Sequence, residues 1–160
     1  MKTYVLTLSH SFPANHAMHG KPTYFREKFL GTPGMLRKLH TIRANYTLWA
    51  KRFEKIAAGD ACLSVREWMG APYRSKQVEI ARLTIRDGIG IQKLRIKPFQ
   101  QHLNSEVYLQ PFIYDETTMP VNEVTLANND GLSLEDWKEW FKNYDLSKPL
   151  AIIHFTKFRY

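Results

Sequence analysis

The segment Arg37-Lys38-Leu39-His40-Thr41-Ile42-Arg43 governs how the rest of this chain is interpreted. It combines the apolar and β-branched residues of a strand with four basic or imidazole side chains and a hydroxyl. Alternate side chains of a strand face opposite ways, so Leu39, Thr41 and Arg43 would share one face. The segment is either an edge strand whose Lys and Arg residues discourage edge pairing, or part of a ligand site.

Lys38 and Thr41 are three residues apart, so a flat strand would point them to opposite faces. They converge only if Lys38 lies on the turn before the strand or at a bulge, and Pro33-Gly34 supplies such a turn. After convergence, Lys38 could assist deprotonation of Thr41 or hold an oxyanion or phosphate. Arg43 would present a planar donor fork to phosphate or carboxylate.

A catalytic version of this site also needs an acid, and the sequence offers two. Asp130 stands just before a helix predicted to begin at Ser133, and Glu79 lies on a predicted strand. The competing interpretation of Asp130 is an Asx-type turn residue beside Gly131. For Glu79 it is a solvated strand face.

A stretch of interleaved basic and aromatic residues follows the third predicted strand. Such a mixture suits base stacking beside phosphate contacts in a nucleic-acid site. The alternative is a loop in which Trp68 packs in the core. The residues are Arg66, Trp68, Tyr73, Arg74 and Lys76.

Metal and cofactor sites are not expected. His16-Ala17-Met18-His19, with His10 before it, has a ligand-like spacing, but no nearby Cys or carboxylate completes a metal site, so we expect surface histidines. Gly88-Ile89-Gly90 lacks the third glycine and the strand-to-helix setting of a dinucleotide motif, and it is interpreted as a hairpin turn.

Charge favours a polyanionic partner. The chain has 23 Lys and Arg against 15 Asp and Glu, a formal net charge of +8. Such a balance is typical of nucleic-acid binding, less often of binding to an acidic membrane, and it also aids solubility. Nucleic acid is therefore the expected partner, with no membrane and no obligate protein partner.

Length and composition predict one domain over residues 1–160, because 160 residues with 44% apolar content can bury one sizeable core. Cys62 is the only cysteine, so no intrachain disulfide forms, and we expect a buried, inert thiol in a reducing compartment. No apolar run approaches twenty residues, so the protein is expected to be soluble and cytoplasmic.

Local patterns predict an α+β protein of five or six strands and scattered short helices, built on a small mixed sheet or barrel. Helices are predicted at Tyr24–Leu30 after an N-cap Thr23, from Asn45 to a stop at Gly59, and from Ser133. The basic segment is joined by strands predicted at Val5–Ser9, Ala61–Glu67, Gln77–Ile85 with a bulge near Ile80, Ile91–Ile96 and Leu150–Lys157. A further candidate strand, Val107–Tyr114, would be broken at Pro111.

These pieces resemble the ASCH domains, members of the PUA-like superfamily of small β-barrels. The resemblance spans nearly the whole chain, and the chain also looks like the longer, phage- and Bacteroidetes-type ASCH-like proteins. It rests on Phe12-Pro13 through His19, Lys38 to Arg43, Gly59 to Val65, Asn129 to Ser133, Trp140-Phe141 and Ile152 to Thr156.

The resemblance implies a PUA-like mixed β-barrel of five to seven strands with three or more short helices, and a cleft that binds RNA. A small ASCH enzyme is an N4-acetylcytidine amidohydrolase, whose catalytic Lys and Thr would correspond to Lys38 and Thr41. Its acid would correspond to Asp130, although the family enzyme has Glu there. A shorter side chain would set the carboxylate back, and such displacements cost roughly a hundredfold in rate.

Three functional hypotheses follow. The leading one is a module that binds RNA or a modified nucleoside in a basic cleft lined by Lys38, Thr41, Arg43 and Asp130, with His40 and the basic and aromatic stretch as further contacts. The second is amide hydrolysis on an N4-acylated cytidine-type base, with Lys38, Thr41 and Asp130 as catalytic residues. The third is a protein-interaction domain without catalysis.

Overall fold

The computed structural model describes residues 1–100 and 107–160. These residues form eight strands and four α-helices. In chain order they are β1 (Lys2–Leu8), α1 (Phe25–Leu30), β2 (His40–Arg43), α2 (Tyr46–Ala57), β3 (Ala61–Trp68), β4 (Gln77–Leu83), β5 (Gly90–Gln100), β6 (Val107–Tyr114), β7 (Thr118–Pro120), α3 (Glu123–Asn129), α4 (Leu134–Phe141) and β8 (Leu150–His154).

The strands form two sheets, which confirms the α+β class. One sheet has the order β1-β3-β4, with β1 parallel to β3, and the other has the order β2-β8-β5-β6-β7 and is antiparallel throughout. Among the described residues these ladders do not close into a barrel. The strand count is one above the five to seven that the resemblance implies, and the prediction of three or more helices is confirmed.

Helix α2 joins the two sheets through its apolar stripe. Asn45 accepts a hydrogen bond from the Leu48 amide and begins the helix, as predicted. Trp49, Phe53 and Ile56 recur at the helical period and are buried. Since α2 contacts β3, β5 and β8, one apolar core serves both sheets.

Strand β2 lies at the edge of the larger sheet and pairs with β8 alone. Its first three residues are nevertheless buried, so edge protection does not explain its composition. Lys38 precedes the strand, which is the geometry that convergence with other site groups requires.

Strand β4 contains a predicted irregularity, and the connection that follows it differs from the predicted one. The bulge near Ile80 is confirmed, because Val65 pairs with Ala81 and Arg66 with Glu79, leaving Ile80 unmatched. The hairpin turn at residues 88–90 is wrong, because β4 and β5 belong to different sheets and a short 3-10 helix, Ile85–Asp87, lies between them.

The later part of the chain departs further from expectation. Strand β6 runs through Pro111 without a break. The Pro111 carbonyl accepts a hydrogen bond from the Val121 amide. The proline therefore removes from the ladder only the backbone N–H donor that it lacks. Helix α3 was not predicted.

None of the helices among the described residues combines the length and the apolar character that a membrane crossing requires.

Candidate functional site

Lys38 and Asp130 meet in the interior, 92 residues apart in the chain. The Lys38 Nζ donates to Asp130 Oδ1 at 2.7 Å and to the Asp130 backbone carbonyl at 2.5 Å. It also lies 4.0 Å from the centroid of the Phe25 ring, a cation-π contact. The two side chains are only 1% and 5% exposed. The predicted convergence of an ammonium and a carboxylate is present, but both groups are buried away from solvent.

Backbone contacts hold this pair in place. The Lys38 amide donates to the Lys28 carbonyl of α1, and the Leu39 amide donates to the Asn129 carbonyl at the end of α3. Gly131 follows Asp130 with φ +83°, a conformation that favours glycine, and a Cβ there would lie 3.4 Å from Lys38 Cβ. Asp130 therefore ends a helix and ties it to the segment before β2, which excludes the simple Asx-turn interpretation.

Burial shifts both ionisation equilibria toward the neutral forms. Desolvation lowers the pKa of Lys38 to about 8, and attraction to Asp130 opposes that shift. Desolvation raises the pKa of Asp130, opposed first by Lys38 and then by Arg43. The Trp137 indole N–H lies close enough to lower the pKa of Asp130, although it does not reach hydrogen-bond geometry.

Thr41 and Glu79 do not join the pair. Thr41 is buried on β2 opposite Ile153, and within the described residues its hydroxyl makes no hydrogen bond to Lys38 or Asp130. Glu79 lies on β4, where it accepts from Ser64 and Arg82 and forms a surface network. That network agrees with the solvated-face interpretation of Glu79.

His40 belongs to a buried network rather than to a ligand surface. Its Nε2 lies 2.6 Å from the Tyr160 hydroxyl, which also accepts from Asn129 Nδ2 at 3.1 Å. His154, opposite His40 in the ladder, donates from Nε2 to Gln92 Oε1 at 2.9 Å. Burial lowers the pKa of both histidines, of His154 to about 3. Both rings are therefore neutral around pH 7.

Arg43, at the far end of β2, opens into a cleft of about 790 Å³. This volume falls within the range of roughly 300–1,000 Å³ typical of small-molecule sites. One wall is the loop of residues 9–15, and the cleft continues to His19 and Gly20. Its aromatic lining consists of Phe12, Trp49, Trp68, Tyr73, Trp140 and Tyr144.

The Arg43 guanidinium is only partly satisfied. One terminal nitrogen donates to the Thr7 carbonyl at 2.7 Å, and the other to the Ile42 carbonyl at 3.2 Å. A guanidinium has five N–H donors, so three are left without an acceptor among the described residues. Burial lowers the pKa of Arg43, and attraction to Asp130 opposes that shift. The cleft therefore lies within electrostatic range of the buried pair.

Tyr73 supplies the most exposed aromatic surface of the cleft. The residue is 90% exposed, and its ring lies 5.3 Å from the Trp68 ring, centroid to centroid. Its backbone has φ +64°, a strained conformation for a bulky residue. The structure therefore places Trp68 and Tyr73 at the cleft, as the nucleic-acid interpretation of this stretch requires.

The other predicted contacts lie elsewhere. Arg66 donates to Ser64 and approaches Glu79 at 3.9 Å, while Arg74 and Lys76 are exposed outside the cleft lining. Of the four residues expected to line the cleft, only Arg43 does so, because Lys38, Thr41 and Asp130 are buried.

The histidine loop is a structural feature. His16 accepts from the Met18 amide through Nδ1 and donates to the Asp136 carbonyl through Nε2, so neither ring nitrogen is left for a metal. It is buried, contrary to the expectation of a surface residue, whereas His10 and His19 line the cleft. The described residues contain no cluster of three metal-ligating side chains.

Sequence reasoning missed Trp49, Trp140 and Tyr144 as cleft residues. All three stand on or beside amphipathic helices, which were predicted from the sequence without a role in the site. Each ring packs against the core and also faces the cleft. The excess of aromatic residues on two separate helical stripes was the available signal.

Comparison with known proteins adds no assignment: no family model, no curated protein and no solved structure matches this chain.

Proposed function

We propose that this protein binds RNA or a modified nucleoside in the Arg43 cleft, as an ASCH-type module of the PUA-like class. The observation that carries the proposal is a partly satisfied, partly buried guanidinium at the base of an aromatic-lined cleft. The net charge of +8 supports a polyanionic ligand.

The cleft offers the two contacts that a single-stranded nucleotide needs. The exposed ring of Tyr73 and the half-buried ring of Trp68 can stack on a base. The remaining donors of Arg43 can contact a phosphate or the acceptor edge of a base in a fixed, planar geometry. Polar groups of Ser9, His10 and Asn15 line the same opening and supply further hydrogen bonds.

The arrangement of the two sheets and the order of the site elements support the PUA-like class. The two sheets share one apolar core and are joined by α2, an arrangement that a partly opened barrel would have. The order of the basic strand, the Asp130 turn and the closing strand β8 also follows the resemblance described above.

Calorimetric titration with nucleosides, nucleoside monophosphates and N4-acetylcytidine tests the proposal. We expect Trp68→Ala to weaken binding by about 5- to 150-fold, the equivalent of about 1–3 kcal/mol of stacking per base. Arg43→Gln should weaken the binding of a nucleoside monophosphate more than the binding of the matching nucleoside if the guanidinium contacts phosphate. Lys51→Gln, an exposed cation on α2, removes the same charge and should bind as the wild type.

Two results would contradict the proposal. One is the absence of binding to any of these compounds at low salt, where electrostatic contacts are strongest. The other is binding that Trp68→Ala and Arg43→Gln leave unchanged.

A second candidate function is hydrolysis of an N4-acylated cytidine-type base. It is favoured by the 2.7 Å contact between Lys38 and Asp130 and by the lowered Lys38 pKa, features common in acid–base sites. Turnover requires the pair to become accessible, since both side chains are buried. Chromatography after incubation with N4-acetylcytidine should then show cytidine and acetate, with turnover abolished in Lys38→Met and retained in Lys51→Gln, a variant outside the cleft lining.

A further inference from the structure

Strand β5 presents a row of cations on its outer face. Lys93, Arg95 and Lys97 alternate with the buried residues Gln92, Leu94 and Ile96, so the strand is apolar toward the core and basic toward solvent. The spacing of two residues points all three cations the same way. Their Cα atoms extend over about 13 Å.

Aromatic rings lie between these cations. Phe112 of β6 stands opposite Arg95 in the ladder, and the Lys97 Nζ lies 5.7 Å from the Phe112 centroid and 5.5 Å from that of Tyr114. The Lys93 Nζ lies 4.9 Å from the Tyr46 ring at the start of α2. We call these six residues the basic face, namely Lys93, Arg95, Lys97, Tyr46, Phe112 and Tyr114.

The charge of the basic face is not neutralised locally. Within the described residues, none of its three cations forms a salt bridge. Arg95 donates to the Ser147 carbonyl at 2.5 Å. Asp115 accepts a hydrogen bond from Gln92 Nε2, and Asp145 accepts from Ser147 and lies 3.9 Å from Lys148.

A second hollow, of about 460 Å³, shares one lining residue with the Arg43 cleft and one with the basic face. Tyr144 lines both the cleft and this hollow, and Tyr46 lines the hollow and belongs to the basic face. Lys148 and Asp145 also line the hollow, one charge of each sign. Aromatic rings therefore stand at both ends of the hollow, between the cleft and the basic face.

We propose that the ligand is a single-stranded RNA segment, with one base held in the Arg43 cleft and the flanking nucleotides bound along the basic face. This inference rests on the proposed function and names its substrate class. Lys93 and Lys97 contact successive phosphates, and Phe112 and Tyr114 offer ring surface to bases. Alternating cations and aromatic rings on an open sheet face are the combination that single strands use and that duplexes, whose bases are stacked inside, do not.

The test compares a labelled ten-nucleotide oligouridine, a ten-base-pair RNA duplex and a nucleoside monophosphate over a range of salt. The Lys93→Gln/Lys97→Gln variant should reduce the salt slope of oligouridine binding by about 1.4, since each phosphate contact on a single strand contributes about 0.7. At 0.1 M salt, relative to 1 M, this corresponds to a loss of about 25-fold in affinity. Monophosphate binding should be unchanged.

Lys51→Gln/Lys55→Gln is the matched control, because both lysines are exposed on α2 and the net charge falls equally. The proposal is overturned if the two double variants bind oligouridine alike, if oligouridine binds no tighter than the monophosphate, or if the duplex binds equally well. Binding to phosphatidylserine vesicles in place of RNA would also overturn it.

The two proposals fail separately. Oligouridine binding that depends on Lys93 and Lys97, without any monophosphate binding, would retain the basic face and reject the Arg43 cleft. The opposite result would retain the cleft and reject the basic face. In that case Trp68→Ala abolishes monophosphate binding, while substitution of Lys93 and Lys97 leaves the oligouridine affinity unchanged.

Discussion

The two ends of the basic segment around β2 use positive charge in opposite ways. At its start, Lys38 is enclosed by an aromatic ring, a carboxylate and a carbonyl. At its end, Arg43 makes two hydrogen bonds to backbone carbonyls and faces a wide cleft. Two cationic residues five positions apart thus serve the interior in one case and an opening in the other. The two residues differ in their access to solvent and in the number of unused hydrogen-bond donors, and not in the sign of their charge.

The enclosed end has the energetics of a structural ion pair. Removing two charges from water is costly, and the mutual attraction repays this only with good geometry and further hydrogen bonds. Lys38 has both, with two acceptors on Asp130 and a ring beside it. The pair fastens the end of α3 to the segment before β2, and through β2 it fixes where Arg43 emerges.

The largest expected effect comes from breaking this pair on one side. Asp130→Ala leaves a buried ammonium without its counter-charge and should lower the free energy of unfolding by about 3–5 kcal/mol. Urea unfolding followed by tryptophan fluorescence measures the change. The double variant Lys38→Met/Asp130→Leu removes both charges and should recover most of the loss.

A loss below about 1 kcal/mol in Asp130→Ala would contradict the structural assignment of the pair. Such a small loss would favour a functional site in which Lys38 is tolerated without its counter-charge. The comparison between the two ends of β2 would lose its basis.

Acid should weaken the enclosed end through its histidines. The His154 pKa is about 3 in the folded protein against an ordinary 6.5, so the unfolded chain binds more protons between these values and stability falls as pH drops below 6.5. Between pH 7 and pH 5 this group alone should cost about 2 kcal/mol, at about 1.4 kcal/mol per pH unit. His40, whose pKa is also lowered, acts in the same direction.

Unfolding midpoints at pH 7 and pH 5 check this prediction. His154→Gln should reduce the pH dependence by the contribution of one group, and His19→Gln, at a partly exposed position in the cleft, is the control. Equal pH dependence in all three proteins would show that the buried histidines do not govern acid stability.

The sequence predicted elements whose signals are local. The start of α2 at Asn45 and the bulge at Ile80 depend on neighbouring residues, and both are confirmed. Helix α3 was missed because Glu123–Asn129 is short and ends in two asparagines, which favour turns. Its burial of Leu126 and Ala127 in the core shared with α4 and β6 stabilises it, and no local pattern reveals that.

The candidate site divides in the same way. Residue type indicated that Lys38 and Asp130 could meet, but type cannot show whether a meeting point is open or closed. Arg43 and Tyr73 were identified because basic and aromatic residues stand out in a polar segment. Trp49 and Trp140 were not, because a helical aromatic stripe has the same sequence pattern whether its outer edge meets protein or solvent.

The smallest expected effect tests whether the open end is built for a ligand. Tyr73→Gly relieves a backbone at φ +64°, a gain of roughly 1–2 kcal/mol, offset by roughly 0.5–1 kcal/mol of added chain entropy. The free energy of unfolding should therefore stay within about 1 kcal/mol of wild type, while nucleoside affinity falls about fivefold with the lost ring. Tyr24→Gly is the matched control, since Tyr24 also has a positive φ, 57°, but lies outside the cleft lining. Affinity lost in Tyr73→Gly alone would mean that the strained tyrosine holds its ring for the ligand, whereas equal affinity in both variants would reduce it to a loop residue.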